Sequence, residues 1–231
     1  MLNRPAPLAG APIELMHESN WQMSFGERAA MEGVLAQLKP RLSVEIGTAG
    51  GGSLATITRH SGEVHSFDLD HSDEVVGRFP DVHFHSGDSH ELLPKMLAAF
   101  AEEERNVDFV LVDGDHSSDG VKRDVEDLLD SPAISETIIV LHDTANELVR
   151  DGLERVSYEA YPKVSLAELD FVGGYVMSTR ELNGELWGGL GLIWVSTREP
   201  RYFRDIRDSP YHAAAEILRA GRDARFGPAA G

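Results

Sequence analysis

The sequence has 231 residues, no cysteine and a formal net charge of −18 at pH 7. The lack of cysteine excludes disulfides and thiolate metal sites, and the acidic balance argues against a nucleic-acid-binding surface, which needs a basic face. No apolar run approaches the roughly 18 residues of a membrane helix, and residues 1–20 lack the basic start and apolar centre of a signal peptide. We therefore expect a cytoplasmic protein with one main domain that contacts neither nucleic acid nor membrane.

Short apolar strands alternate with helices over the first two thirds of the chain. The first helix is predicted at 24–38, where Ser24 and Glu27 form a capping-box pattern and Pro40 follows the last turn. The next elements are predicted, in chain order, as a strand at 42–47, a helix at 53–60, a strand at 63–70, a strand and a helix within 82–104, a strand at 107–116, a helix at 118–130 and a strand at 136–144. This alternation predicts an α/β fold with a doubly wound, mostly parallel sheet.

The last third of the chain has a different pattern. Two strands are predicted within 173–196 on either side of Asn183-Gly184, a two-residue hairpin signal, so the sheet is expected to end in an antiparallel hairpin. Residues 199–231 are polar, with one helix predicted near 211–220. The expected organisation is an N-terminal arm or lid at 1–23, the α/β domain at 24–198 and a helical tail at 199–231.

A glycine-rich stretch follows the first strand directly and predicts a tight loop at which a ligand approaches the backbone. Residues 50–55, GGGSLA, fit the dinucleotide-binding pattern G-x-G-x-x-A. Residues 45–50 instead place Glu45 ahead of Gly47-Thr48-Ala49-Gly50, the pattern with which methyltransferases hold the methionine part of S-adenosylmethionine. The loop alone leaves both ligand classes open.

Polar residues recur where the second and third strands end, at the edge of a parallel sheet where ligands bind. Asp68 closes the second strand, and a carboxylate there can accept both hydroxyls of a ribose. Asp88 and Ser89 follow the third strand, where an acid can accept from an adenine amino group or cap the next helix. These residues predict a nucleoside-binding edge.

The fourth and fifth strands end in acids that predict a cation site. Asp113 and Asp143 end neighbouring strands, which lie about 4.8 Å apart, so both can bind one divalent cation. His142 is a further candidate ligand that favours Mn²⁺, Fe²⁺ or Zn²⁺. His116, three residues after Asp113, is the candidate general base. The histidines that alternate along strands, His65, His83 and His85, are expected to be structural.

These motifs, taken in order, resemble the class I S-adenosylmethionine-dependent methyltransferases. VEIGTAGGGS, HSFDLD, GDSHELL, VDFVLVDGDHSSDG and IIVLHDT carry the resemblance, which is greatest to the O-methyltransferases that modify macrolide sugars and other antibiotics. It implies a seven-stranded sheet that ends in the hairpin. It also implies a division of roles among the residues: Glu45, Gly47, Thr48, Ser53, Asp68, Asp88, Ser89 and Asp113 for the cofactor, Asp113, His142 and Asp143 for the metal, and His116 for catalysis.

The function predicted from these residues is the transfer of a methyl group from S-adenosylmethionine to a hydroxyl of a small molecule, such as a natural-product sugar, with the help of Mg²⁺ or Mn²⁺. An NAD(P)-dependent oxidoreductase and a non-catalytic protein that retains the fold are the alternatives. The N-terminal arm, which contains Trp21 and Met23, is expected to act as a lid over the site or as a contact in a homodimer.

Overall fold

A computed structural model describes residues 22–178, 182–198 and 212–227. The strands are β1 Leu42–Ile46, β2 Glu63–Asp68, β3 His83–Ser86, β4 Phe109–Val112, β5 Glu136–His142, β6 Val164–Val172, β7 Tyr175–Val176, β8 Leu186–Trp187 and β9 Leu190–Ser196. Seven of them form one sheet in the order β3-β2-β1-β4-β5-β9-β6, while β7 and β8 form a separate antiparallel pair. In the large sheet β9 runs antiparallel to both of its neighbours, β5 and β6, and the other strand pairs are parallel. The predicted mostly parallel sheet with an antiparallel end is therefore confirmed.

Helices cover both faces of the large sheet. They are α1 Phe25–Leu38, α2 Gly52–His60, α3 Asp73–Arg78, α4 Ser89–Glu102, α5 Ser118–Asp130, α6 Glu147–Glu154 and α7 His212–Phe226, with a 3₁₀ turn at Tyr158–Ala160. Alternate residues of β4 show the two faces. Val110 and Val112 pack with residues of α4, α5 and α6, whereas Phe109 and Leu111 pack with residues of α1, α2 and α3. The centre of the sheet is thus buried between two helical layers, which is why β4 reads as a continuous apolar run.

Local sequence signals explain where several helices begin and end. The predicted capping box is present at α1, where Glu27 N–H donates to Ser24 and the Glu27 carboxylate accepts from Ser24 N–H. Lys39 adopts a left-handed conformation and ends α1 directly before Pro40. Two helices and one strand lie in segments for which the sequence predicted no element. These are α3, α6 and β6; α3 has six residues and α6 has eight, so both are too short for a clear helical period.

The antiparallel end of the sheet is built differently from the prediction. Asn183-Gly184 does form a turn, in which Glu185 N–H donates to the Leu182 carbonyl over 3.1 Å and Gly184 has φ of +91°. That turn lies in the connection between the two short strands β7 and β8, whereas the antiparallel pair of the large sheet is β6 with β9. The reason is a break at Gly188-Gly189, both with positive φ, which divides the last apolar run into β8 and β9.

The ends of the chain lie partly outside the described residues. Residues 1–21 of the arm, with Trp21, lie outside the described residues, whereas Met23 lies within them. The predicted role of the arm as lid or dimer contact therefore stays a prediction. The helix predicted in the tail is α7, and Arg222 on α7 donates to Glu147 at the start of α6 over 2.8 Å. Among the helices of the described ranges, none combines the length and the apolar character that a bilayer-spanning segment requires.

The approach of the β1 loop to the β4 loop gives a test of this architecture. Gly47 has φ of +92°, and a Cβ added to it would lie 1.9 Å from the Asp113 carbonyl oxygen. We expect Gly47→Ala to lower the free energy of unfolding by more than about 3 kcal/mol or to prevent folding, because backbone strain and a backbone clash add together. Gly33→Ala is the control, since Gly33 in α1 has open space around it and alanine favours a helix by up to ~1 kcal/mol. Equal urea midpoints for the two variants would contradict the close approach of the loops.

Candidate active site

A cavity of about 930 Å³ opens at the carboxyl ends of the parallel strands. Its floor and one side come from the loops after β1, β2, β3, β4 and β5, as expected for a doubly wound sheet. Its opposite side comes from the β7–β8 pair and the connection between them, which contribute Tyr175, Met177, Leu182 and Trp187. The cavity therefore has a polar edge at the strand ends and an apolar, aromatic wall facing it.

The glycine loop is held in place by Asp68. One oxygen of this carboxylate, Oδ2, accepts from the backbone N–H groups of Thr48 and Ala49, each over 2.9 Å. Ala49 itself has φ of +43°, and the hydroxyl of Thr48 lies 2.6 Å from the hydroxyl of Ser66. Asp68 and Thr48 both line the cavity. Asp68 thus shapes the loop and faces the cavity, and its predicted contact with a ribose stays a prediction.

Glu45 lies beneath the loop and does not line the described cavity. Its side chain is fully buried and accepts from the hydroxyls of Ser53, over 2.6 Å, and Ser66, over 2.7 Å. Burial raises the pKa of Glu45 to about 8, although the two hydroxyl donors oppose that effect. Ser53 does line the cavity. Glu45 thus orients Ser53, which faces the cavity, and its own predicted contact with a cofactor stays a prediction.

Asp88 and Ser89 occupy the start of α4 and line the cavity. Asp88 Oδ1 accepts from His90 N–H over 2.9 Å, so this side chain is the N-cap of the helix. The Ser89 hydroxyl donates to the buried Asp124 over 3.3 Å. The helix-cap alternative considered for Asp88 is therefore present, and the predicted contact of both residues with an adenine stays a prediction.

The acids of β4 and β5 meet at a buried histidine. His142 Nδ1 lies 2.8 Å from Asp113 Oδ1 and 3.2 Å from Asp143 Oδ2. Alternation along a strand would send the side chains of His142 and Asp143 to opposite faces, but Asp143 has left β5 and has φ of +55°. That backbone change brings both side chains to one point. The structure therefore brings together all three of the predicted metal ligands.

His116 lies at the same point on the other side of the carboxylates. Its Nε2 atom is 3.2 Å from Asp143 Oδ2 and 3.7 Å from Asp113 Oδ1. The ring meets Trp187 edge-on, with centroids 5.5 Å apart. Contacts with Asp113 and Asp143 raise the pKa of His116 to about 9. The candidate base thus stands between the acids and the aromatic wall of the cavity.

These carboxylates and imidazoles fit a divalent cation. The ligand atoms of Asp113, His116 and Asp143 all lie within 4.8 Å of one another. Among the described residues, His116 Nε2 is buried and has no hydrogen-bond partner, although two carboxylates face it. Burial works against the charge of the Asp143 carboxylate, yet its close contacts with His116 and His142 lower its pKa below the usual range. Two ionised carboxylates suit Mg²⁺ or Mn²⁺, and an imidazole nitrogen beside them favours Mn²⁺ over Mg²⁺.

Sequence reasoning missed Glu27 and the Gly188-Gly189 turn as parts of this site. Glu27 is fully buried, and its Oε1 atom lies 3.5 Å from His142 Nε2 and accepts from Gly189 N–H over 2.5 Å. The preceding N–H, of Gly188, donates to Asp143 Oδ1 over 2.7 Å. Two adjacent amides of one turn therefore each hold a carboxylate of the site. The paired glycines between two apolar runs were the available sequence signal.

Comparison with solved structures identifies the fold. An O-methyltransferase from Bacillus cereus, solved in complex with SAH, is 18% identical with a TM-score of 0.55, and the match covers 78% of this chain and 85% of that one. TomG, an O-methyltransferase from Streptomyces achromogenes solved in complex with SAM, is 17% identical with a TM-score of 0.57, covering 79% of this chain and 86% of that one. The SAH-bound methyltransferase PaMTH1 from Podospora anserina is 17% identical with a TM-score of 0.52, covering 80% and 88%. This chain therefore has the fold of a methyltransferase.

Sequence comparison agrees with that fold. Residues 44–144 match the family model described as a methyltransferase domain. The matched range begins in β1 and ends one residue after Asp143, so it contains the glycine loop and the acids of β4 and β5. No curated protein sequence matches the chain significantly. The resemblance to methyltransferases is thus confirmed by the family model and by the fold.

The buried carboxyl of Glu45 predicts a pH-dependent stability. Its pKa is about 8 in the folded chain against an ordinary value of 4.5, so the folded state loses stability as the pH rises between these two values. We expect Glu45→Gln to become more stable than the wild type over this range by a few kcal/mol, since one pKa unit corresponds to about 1.4 kcal/mol. The measurement is the free energy of unfolding in urea from about pH 5 to about pH 9. Glu102→Gln, at an exposed position of α4, is the control. If the difference in free energy of unfolding from the wild type did not change with pH for either variant, the burial of Glu45 would be contradicted.

Proposed function

We propose that this protein is an S-adenosylmethionine-dependent O-methyltransferase that acts on a hydroxyl of a small molecule with the help of a divalent cation. The observation that carries the proposal is the convergence of Asp113, His116, His142 and Asp143 at one end of the cavity. The glycine loop and Asp68 lie along the same cavity. A site for a nucleoside-containing donor and a site for activating a hydroxyl are thus adjacent.

The first half of the sheet would bind the donor. Asp68 faces the cavity next to the loop backbone of Gly47 and Thr48, a position suited to the ribose, and Asp88 with Ser89 lies further along for the adenine. Gly47, Thr48, Ser53 and Asp113 line the part next to the reacting groups. When bound there, S-adenosylmethionine supplies an activated methyl group. The residues of this chain hold it so that its methyl faces the acids of β4 and β5.

The second half of the site would prepare the acceptor. Three ligand atoms would hold Mg²⁺ or Mn²⁺. They are His142 Nδ1, Asp113 Oδ1 at 2.8 Å from it and Asp143 Oδ2 at 3.2 Å from it. A divalent cation there lowers the pKa of a bound hydroxyl. Because one nitrogen cannot bind a cation and accept a proton at the same time, we assign the proton to His116 Nε2. Asp113 and Asp143 keep His116 protonated when no cation is bound, and a cation bound to these carboxylates would leave His116 Nε2 without a proton. His116 would then take the hydroxyl proton as the acceptor oxygen bonds to the methyl carbon and the sulfur–methyl bond breaks.

The aromatic wall defines the place of the acceptor. Trp187 lies edge-on to His116, and Tyr175 lines the same part of the cavity. An apolar wall beside a polar edge suits a small hydroxylated molecule with one apolar face, and a natural-product sugar meets that description. The wall also excludes water from the reacting groups, which strengthens their electrostatic interactions.

Binding of the donor separates the proposed activity from its alternatives. We expect S-adenosylmethionine and its demethylated product to raise the melting temperature of the wild type, whereas NAD⁺ and NADPH leave it unchanged. Asp68→Asn keeps an oxygen acceptor for Thr48 and Ala49 but removes the charge for the ribose, so it is expected to lose most of this increase. Asp70→Asn, at an exposed position two residues on, is the matched control. Stabilisation by the nicotinamide cofactors alone would favour the oxidoreductase alternative.

Removal of the base is expected to separate catalysis from binding. His116→Ala should lower kcat by about 10²-fold or more, the range for a lost general base, while its affinity for S-adenosylmethionine stays close to that of the wild type. Release of S-adenosylhomocysteine with a panel of sugars and phenols is the measurement. His60→Ala is the control, because His60 on α2 contacts Glu32 over 2.7 Å and does not line the cavity.

Two results would contradict parts of this mechanism. Equal kcat values for His116→Ala and the wild type would remove His116 as the base. Turnover that is unchanged after treatment with EDTA would remove the cation from the proposal, without affecting the assignment of the donor.

A further inference from the structure

A second group of metal-ligand side chains lies at the outer edge of the sheet, away from the cavity. Glu63 and His65 on β2 share one face with His83 and His85 on the edge strand β3, because side chains alternate along a strand and His65 pairs with His83 in register. Ligand atoms of Glu63, His65 and His83 all lie within 4.8 Å of one another. Glu63 begins β2, whereas the cavity lies at the carboxyl end of that strand. This group is therefore separate from the candidate active site.

The contacts within the group orient the central imidazole. His65 is buried, its Nε2 lies 2.8 Å from Glu63 Oε1, and its Nδ1 lies 2.9 Å from His85 Nε2. The rings of His65 and His83 stack with centroids 4.6 Å apart. A metal-binding histidine commonly uses one ring nitrogen for the metal while a partner fixes the other. His65 has that arrangement, with Nε2 directed at Glu63 and Nδ1 at His85.

We propose that Glu63, His65 and His83 bind a divalent transition metal ion, with Zn²⁺ as the best match. Two imidazoles and one carboxylate form a ligand set that zinc binds with nitrogen and oxygen distances of about 2.0–2.2 Å. In tetrahedral geometry such ligand atoms lie about 3.4 Å apart, and the atoms here span separations from 2.8 Å up to 4.8 Å. His83 is exposed and can close the remaining gap by turning its side chain.

The surroundings are compatible with a bound cation. Arg105 donates to Glu63 Oε2 over 2.6 Å, which leaves Oε1 as the single carboxylate oxygen for the metal and places one positive charge nearby. Phe100 of α4 closes the inner side, where its ring meets that of His65 edge-on with the two centroids 5.1 Å apart.

A metal ion at this site would stabilise the edge strand β3. Because its ligands come from two neighbouring strands, an ion bound there links β3 to β2, and β3 leads through Gly87 to Asp88 at the cavity. An edge strand has hydrogen bonds on one side only, so a cross-strand metal link stabilises the part of the sheet that opens most readily.

Zinc titration of matched histidine variants tests the site without any measurement of activity. We expect calorimetric titration of the untagged wild type with Zn²⁺ to show a binding step that weakens at least tenfold in His83→Gln and in Glu63→Gln. His60→Gln is the control, since His60 also contacts a glutamate but lies outside the group. His83 is exposed, so its replacement is expected to leave the fold intact, and circular dichroism of each variant checks this.

The two ligand variants and the control give distinct outcomes. A loss of one zinc equivalent in both ligand variants, together with a smaller zinc-induced rise in their melting temperatures, supports the site. Zinc isotherms of His83→Gln that match the wild type would overturn it, as would an equal loss in His60→Gln. Binding by Asp113, His142 and Asp143 contributes equally to all four proteins, so failure of the proposed methyltransferase activity would not alter this result.

Discussion

The arrangement of the site depends on one buried imidazole that three carboxylates surround. His142 contacts Asp113 from β4, Asp143 from the end of β5 and Glu27 from α1. Burial opposes a charge on this ring, yet the carboxylates outweigh it and raise its pKa well above the usual value. A cation at this position, whether a proton on His142 or a metal ion, is what allows three acids to lie so close together. The polar end of the cavity is therefore defined by charge balance.

Much of the fold and half of the site could be predicted from the sequence because both follow from strand ends. Asp68, Asp113 and Asp143 each stand where an apolar run stops, and parallel strands bring such positions to one edge. The burial of Glu45 beneath the loop could not be predicted, because β1 is buried on both faces and no alternation of polar and apolar residues showed which way its side chain points. The side chains of His142 and Asp143 converge only because Asp143 adopts a positive φ, and the residue types at these positions do not predict that conformation.

The remaining parts of the site depend on contacts between distant segments. Glu27 and Gly189 are 162 residues apart, and their hydrogen bond exists only after the last strand has joined the sheet. The sequence showed Glu27 as a helix-capping residue, which it is, and gave no sign of its second contact. The glycine pair at 188–189 similarly looked like a turn, whereas its two amides each bind a carboxylate of the site. Local patterns predict elements well and predict tertiary hydrogen bonds poorly.

The double role of Glu27 couples the start of α1 to the cavity. One oxygen of its carboxylate accepts from Ser24 N–H and so closes the first turn of the helix, while the other reaches Gly189 and faces His142. Opening of the first turn of α1 therefore removes a negative charge from beside His142, and any cation or substrate that favours the assembled site also favours the closed helix. Amide hydrogen exchange in the first turn of α1 thus reports on ligand binding beside His142. Opening of the first turn of α1 and occupancy of the site beside His142 are therefore coupled.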